Sequence, residues 1–427
     1  MREDLLHFIW KHKKLLRTDL HTSKNETISV IDYGTHNLHE GPDFFNAKVE
    51  IDSQLWAGNV EIHINASDWY AHHHEVDRNY DNVILHVVWE DDATIFRKDN
   101  SEIPTLELKK YISKEVLEAY KKLFDKKSVT FINCEKEIKD IDEFLFHNWL
   151  ERLYFERLER KSGFILETLE QSKNDWEKVL FCMLLNNFGL NINGNSFLSL
   201  AQALDFSVVR KLQNDAFQLE SVFYGMTGLL TDNEITDVYY VDLKKEHDFL
   251  KNKFTIKDEG VLKPDFFKLR PPNFPTIRLS QIANVYVAHQ NMFSKLINAN
   301  TLQEIYNVFD VSASSYWDNH YVFGKESGKS TKKLTKKFIN LLIINTILPI
   351  KFCYAKHMGK DVNNEVIKMV TNLKREENSV IDGFIKLNVN VHNTMDSQAV
   401  LQLYNEYCTQ NKCLQCVVGG SLLNRID

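Results

Sequence analysis

Positive charge is the first thing this chain lacks. Its 427 residues carry 52 lysines and arginines against 59 aspartates and glutamates, a formal charge of −7 with histidine neutral. A chain-wide basic footprint for nucleic acid is therefore excluded, and any nucleic-acid partner must meet a local patch. Cysteine is sparse as well. Six thiols in a chain of this size do not make a disulfide scaffold, so reduced thiols and a cytoplasmic location are expected. With only 15 glycines and 7 prolines, collagen-like and low-complexity architectures are excluded. Long apolar runs are missing too. The greasiest, residues 338–352, is interrupted by Asn340, Asn345 and Pro349, falls short of a membrane span and reads as a buried helix. The first residues, Met1-Arg2-Glu3-Asp4, lead into an amphipathic stretch rather than a signal peptide's apolar core.

What is present is a globular composition, 43% hydrophobic and 12% aromatic, long enough for two or three domains. Three zones separate by pattern. In residues 1–112, Leu5, Leu6, Ile9 and Trp10 recur at helical spacing and strand-like runs follow. One run is residues 27–31. The next, residues 45–51, alternates with Phe45, Ala47, Val49 and Ile51 on one face. In a third, Val60, Ile62 and Ile64 alternate with Glu61 and His63. Ser67 or Asp68 is placed to cap a short helix toward Tyr80, and residues 83–89 are again rich in β-formers. The expected order is helix, strand, strand, strand, helix, strand. From residue 113 the pattern turns helical, with a charged helix over residues 115–127 and an amphipathic one around Trp149, Leu153 and Arg157. Gly189 is expected to stop the following helix. A proline-rich turn, Arg270-Pro271-Pro272-Asn273-Phe274-Pro275, divides residues 113–269 from a third helical zone, 270–427. The fold class expected is an α/β N-terminal domain with an α-β-β-β-α-β core, followed by a large all-α body.

Chemistry concentrates in the first zone. Asp43 follows a proline at the start of one strand, and Glu61 stands two residues before His63 in the next, so Glu61 and His63 leave one strand face. A hard divalent ion such as magnesium or manganese takes one or two carboxylates, water and substrate phosphate, and Asp43 and Glu61 are candidates for those carboxylates. His63 stands ready to assist water, since its ordinary pKa of about 6.5 suits a base at neutral pH. Strict alternation puts Asp43 with the apolar residues of its run, leaving Asn46, Lys48 and Glu50 on the other face. Lys48 is the candidate lysine from a neighbouring strand. His72 and His74, with Asn46, are candidates for substrate contact, while His73 is expected in solvent. A second account joins His72, His74 and His86 with Glu61 or Asp77 in a zinc or manganese site, against which His72 and His74 lie on different faces of any helix. The bland reading makes His86 a hydrogen-bonded core residue and the whole hairpin a polar edge.

Late in the chain, Cys408, Cys413 and Cys416 supply three thiols in nine residues, and Cys134 or Cys353 could supply a fourth for zinc or an iron–sulfur cluster; three structural thiols are the alternative. Cys182 reads as core. Residues 324–330 mimic a phosphate-binding loop but have one residue too few between their glycines. Lys325, Lys329, Lys332, Lys333, Lys336 and Lys337 read as a solvated helix start, with phosphate contact as the alternative. Arg270, Asn273 and Arg278 are expected to dock the proline turn onto the N-terminal domain.

Two resemblances sharpen this reading. The acid pair and strand order resemble the PD-(D/E)XK nuclease fold, with His63 where lysine is usual. Some nucleases of that fold also hold a cluster with one early and three late cysteines, at other spacings. Across nearly the whole chain, Gly34, Asn37, Gly41-Pro42-Asp43-Phe44, Trp56-Ala57-Gly58-Asn59-Val60-Glu61-Ile62-His63, Ser67-Asp68-Trp69, Leu85-His86-Val87-Val88, Arg157-Leu158-Glu159-Arg160-Lys161 and Asn187-Phe188-Gly189 resemble an uncharacterised bacterial family, the domain of unknown function numbered 2851. That family brings no established activity. The expectation is a metal-dependent phosphodiesterase acting on nucleic acid, DNA foremost. The alternative is a non-catalytic nucleic-acid-binding or assembly protein that keeps a degenerate nuclease fold.

Overall fold

Amphipathic spacing builds the first element of the structure, a computed structural model that describes residues 1–16, 19–37, 39–125 and 129–424. Helix α1 (Asp4–Lys11) buries Leu5, Leu6, Ile9 and Trp10 completely. The chain divides into two compact units. One comprises residues 1–149, 382–389 and 403–427, and the other residues 150–381 and 390–402. The N-terminal region is thus sheet-rich, and a large helical body follows it.

In the first unit, strands β1 (Leu20–His21), β2 (Thr27–Asp32), β3 (Thr35–His36), β4 (Phe44–Ile51), β5 (Gln54–Asn65), β6 (Val83–Glu90) and β7 (Thr105–Glu107) form one sheet. Its order is β1-β2-β4-β5-β6-β7, with β3 paired to β4. The pairs up to β4–β5 are antiparallel, and β5–β6–β7 are parallel. Asp52 and Ser53 both take positive φ, 45° and 66°, between the paired Ile51 and Gln54. That is the two-residue turn whose twist suits a hairpin. The parallel crossover from β5 to β6 runs through the short helix α2 (Asp68–Ala71) and a 3₁₀ turn at Arg78–Tyr80. Ser67 precedes α2 without a side-chain cap, and α2 stops at Ala71 instead of running on toward Tyr80.

Alternation over β4 fails at one point, and the failure positions the site. Phe44, Ala47, Val49 and Ile51 are buried, whereas Phe45 is only half-buried. The register with β5 slips between Phe44 and Ala47, and Asn46 sits at φ 59°, a conformation asparagine tolerates. The extra residue inverts the parity expected for the strand start. Gly58 lets the strands close here, because a Cβ there would lie 2.4 Å from Ile84 Cγ2 and 2.5 Å from the Asn82 carbonyl.

Val60, Ile62, Leu85 and Val87 pack with α1 in the larger core of this unit, which Leu414 and Leu423 also enter. Trp69, Tyr80, Val83 and Val88 form a smaller core under α2. The charged helix of the next segment is α3 (Lys114–Leu123), capped by Ser113 Oγ accepting from the Val116 N–H; of its expected extent, residues 126–127 lie outside the described residues.

Helices fill the second unit. Helix α4 (Glu143–Gln171) carries the unit boundary, α5 (Trp176–Phe188) is capped by Asp175, and α6 (Leu190–Ala203) follows at once. Gly189 is the joint between them, yet it stays helical at φ −70°, and Leu190 takes the positive φ of 55°. Arg278 sits 3.6 Å over the Phe338 ring and donates to Asn273 Oδ1 at 2.6 Å, so its contacts with the proline turn are internal to this unit. Lys332 departs from the solvated reading. It is buried, and its ammonium donates to the Ser330 and Asp318 carbonyls at 2.8 and 3.1 Å. Residues 320–326 form a small hairpin rather than a phosphate loop. The helical stretch Lys336–His357 is long and apolar enough to cross a membrane, but 78% of its most apolar window is buried within the protein.

Candidate functional site

The end of β4 and the middle of β5 are joined by side chains where the backbone ladder gives out. The Asp43 N–H donates to Glu61 Oε2 at 3.1 Å, and the Ile62 N–H donates to Asp43 Oδ2 at 2.9 Å. Each carboxylate therefore has one oxygen held by a backbone donor. Asn37 Nδ2 lies 3.1 Å from each of the His39, Glu40 and Pro42 carbonyls, which shapes the loop that delivers Asp43. From α1, His7 Nε2 comes within 3.3 Å of Asp43 Oδ2. Burial disfavours a charged His7, but Asp43 and then Glu3 outweigh it and raise the imidazole pKa. Sequence reasoning did not assign His7 or Asn37 a role. The available signal was His7 four residues after Glu3, set between apolar Leu6 and Phe8.

Glu61 and His63 share a face of β5, and Glu61 pairs in parallel register with His86 on β6. All three are buried. His63 Nδ1 lies 2.8 Å from His86 Nε2, and His63 Nε2 lies 3.1 Å from His72 Nδ1. Glu61 Oε1 faces His74 Nε2 at 3.3 Å and His63 Nε2 at 3.5 Å. Exposed His72 thus opens to solvent a chain of imidazoles that ends at buried His86. His72 and His74 reach the same point because His73, at φ 61°, ends α2 in the left-handed conformation. Its N–H bonds back to the Tyr70 carbonyl and that of His74 to Trp69, the paired bonds of a Schellman stop. The expectation that the two imidazoles diverge on a helix is corrected accordingly. Tyr80 stacks on His74 at 3.7 Å and fixes its ring.

Burial favours the uncharged forms of Glu61, His63, His74 and His86. Burial, then the neighbouring Asp43, push the Glu61 carboxyl well above the usual carboxylate range. Burial, then His74 and His72, hold His63 down at about 3, and burial chiefly holds His74 at about 4. His86 is driven well below its ordinary value by burial and by His63. Burial thus favours the neutral forms of Glu61, His63 and His74, so their approaches at 3.3–3.5 Å are not those of a charged pair. Neutral imidazole is the form that ligates metal or accepts a proton. Among the described residues, one group of three offers ligand atoms all within 4.8 Å of one another, namely His63, His72 and His74.

Asp43, Glu61, His63, His72 and His74 are thus brought together. Lys48 is not. It is exposed, and its register partner on β5 is Ala57, four residues and about 13 Å along the strand from Glu61. Asn46 is exposed at the bulge, its N–H facing Asn59 Oδ1 at 3.3 Å. Asp77 caps the turn at Arg78–Tyr80 through the Asn79 N–H.

Cys134, Cys408, Cys413 and Cys416 line one small cavity of about 20 Å³ in the first unit, with Tyr407 and Leu123. Burial raises all four thiols, Cys416 to about 11, and the thiols of Cys134 and Cys408 are raised further by their cysteine neighbours. Cys182 and Cys353 are buried in the second unit.

Fold and site together describe a mixed-sheet protein with a carboxylate–imidazole centre. The model of the family described as a protein of unknown function (DUF2851) matches residues 3–379, and the chain belongs to that family. No curated protein and no solved structure matches it.

Proposed function

We propose that this protein is a metal-dependent phosphodiesterase acting on nucleic acid, DNA foremost, with a nuclease-like N-terminal region. The observation that carries the reading is the reciprocal tie between Asp43 and Glu61, which sets two carboxyl groups side by side at a strand end. The order α1, β2, β4, β5, α2, β6, with β5 parallel to β6, supports the resemblance to the PD-(D/E)XK core. A divalent ion on Asp43 and Glu61, magnesium or manganese, would polarise a phosphoryl oxygen and acidify bound water. His63, lowered to about 3, is a weak base in the metal-free protein, so its role would be to orient that water by hydrogen bonding, with His72 beside it at the solvent edge. His72 and His74 would border the bound phosphate.

The test is hydrolysis of single- and double-stranded DNA and RNA with magnesium or manganese. Wild type is expected to cleave, with a loss of at least about 100-fold in Asp43→Ala and Glu61→Ala, as a term worth a few kcal/mol of transition-state stabilisation requires. Activity surviving both substitutions would exclude this site. Absence of cleavage with retained, salt-dependent binding would favour the second reading, a non-catalytic nucleic-acid-binding or assembly protein. Two observations favour that alternative, namely Lys48 lying away from the acid pair and the net charge of −7.

We propose a separate structural role for the cysteine cavity, as a thiolate site for zinc or an iron–sulfur cluster. Four thiols from distant parts of the sequence around one cavity support it. Anaerobically purified protein is expected to carry either zinc or iron with sulfide, lost in Cys408→Ser; metal-free wild type would sink the idea.

A further inference from the structure

We propose that Glu61, His63, His72 and His74 form a nitrogen-rich binding site for a first-row transition metal of the zinc class, in preference to magnesium. The inference rests on the metal-dependent reading above but moves the ion from the Asp43–Glu61 pair onto Glu61 and the imidazoles, with His63 as a ligand rather than a partner of the water. Four ligands in a tetrahedron with bonds of about 2.0–2.1 Å stand about 3.3 Å apart. Here His63 Nε2 and His72 Nδ1 are 3.1 Å apart, His74 Nε2 and Glu61 Oε1 3.3 Å, and His63 Nε2 and Glu61 Oε1 3.5 Å. The three imidazoles meet within 4.8 Å, and Glu61 adjoins two of them. Magnesium is poorly served by this set, because it demands oxygen ligands and keeps its waters, whereas imidazole suits zinc, cobalt, nickel and copper.

The surroundings are those of a ligand set held in place. His63 has its other ring nitrogen 2.8 Å from His86 Nε2, so one tautomer leaves Nε2 free for a metal. Glu61 has Oε2 occupied by the Asp43 N–H and Oε1 turned to the imidazoles. His74 is clamped between Tyr80 and Trp69. Four polar groups, two of them fully buried on a sheet face, are costly unless each finds a partner, and a shared cation satisfies them together. Exposed His72 gives an ion a path in from solvent, while four protein ligands fill the tetrahedron, so water would bind only as a fifth ligand or by displacing one of them.

Cobalt(II) is the probe, because its visible absorption reports nitrogen ligation independently of any reaction. Full-length protein stripped with chelator is titrated with cobalt and then displaced with zinc, in wild type, His72→Ala and His74→Gln, with circular dichroism as the folding control. Cobalt on the cavity thiols is told apart by its sulfur-to-metal charge-transfer absorption in the near ultraviolet, which nitrogen and oxygen ligands do not give. Expected is one cobalt per chain free of that absorption, with a d–d band that a thousandfold excess of magnesium does not displace. Affinity should fall about 100-fold or more in each histidine variant. No cobalt band in wild type, or a band unchanged in both variants, overturns the inference. The two readings fail separately. Cleavage with magnesium that ignores His72→Ala, together with no cobalt band, overturns the zinc-class site and leaves the phosphodiesterase. A cobalt band without cleavage under any metal supports the site and removes the phosphodiesterase.

Discussion

Individual side chains in the cluster change the stability of the metal-free protein with pH in opposite directions. Glu61 has a folded pKa above its unfolded value of about 4.3, so the unfolded chain releases its proton first as pH rises. Its contribution is fully present below that value and is lost as pH climbs through neutrality. His63 and His74 are neutral when folded, down to about 3 and 4, while the unfolded chain protonates below about 6.5. Their contribution is therefore lost as pH falls below that point. Glu61→Gln keeps the shape and removes the first effect. In chelator, wild type is expected to lose about 1–3 kcal/mol more than the variant between pH 6 and pH 8, read by urea unfolding. Equal losses in both would mean that Glu61 ionises normally. The residues of this centre were partly legible. The spacing of Glu61 and His63 declares a shared strand face, and the density of histidine after Trp69 marks the loop. His7 and Asn37 were not legible as partners, because their roles depend on distant chain segments that no local period encodes.

At the scale of elements, the strands were readable because period-two apolar alternation survives in β5, and β6 is a near-continuous run of β-formers between two cores. The bulge in β4 was not, since a single inserted residue leaves no compositional mark beyond an asparagine able to take positive φ. The same holds for the stop of α2, where a histidine rather than a glycine occupies the left-handed position. Gly58 is the residue on which the β5–β6 approach depends. Any side chain there meets the Asn82 carbonyl and Ile84, and backbone cannot swing aside as a flexible side chain would. Gly58→Ala is expected to destabilise the first unit by about 1–3 kcal/mol or more, measured by chemical denaturation. Because the register of Glu61 against His86 is set on the same strand pair, cobalt affinity should drop with it. A variant as stable as wild type would show that the strands separate at this point without cost.

For the whole molecule, the sequence pattern conveys a sheet-rich start and a helical remainder, but not that the sheet's core is completed by the chain's far end. Leu414 and Leu423 are buried with Leu5, Val60 and Ile62, more than 340 positions away in sequence. Apolar periodicity reports that a helix has a buried face; it carries no address for the surface that covers it. Each buried leucine is worth about 1.5–3 kcal/mol, a large share of a stability of about 5–15 kcal/mol. A chain ending at residue 402 is therefore expected to lose protection from hydrogen exchange in β4 and β5, although every strand of the sheet is still present. That truncation also removes Cys408, Cys413 and Cys416, so loss of packing must be separated from loss of a thiolate site. Leu423→Ala in the full chain makes the separation. It keeps all four thiols and is expected to cost about 2–5 kcal/mol on its own. If both the shortened chain and Leu423→Ala retain wild-type protection in β5, the C-terminal segment is an ornament on an independent domain. If only the shortened chain loses it, Leu423 alone does not hold the unit together, and Leu414 or the thiols of the removed segment do.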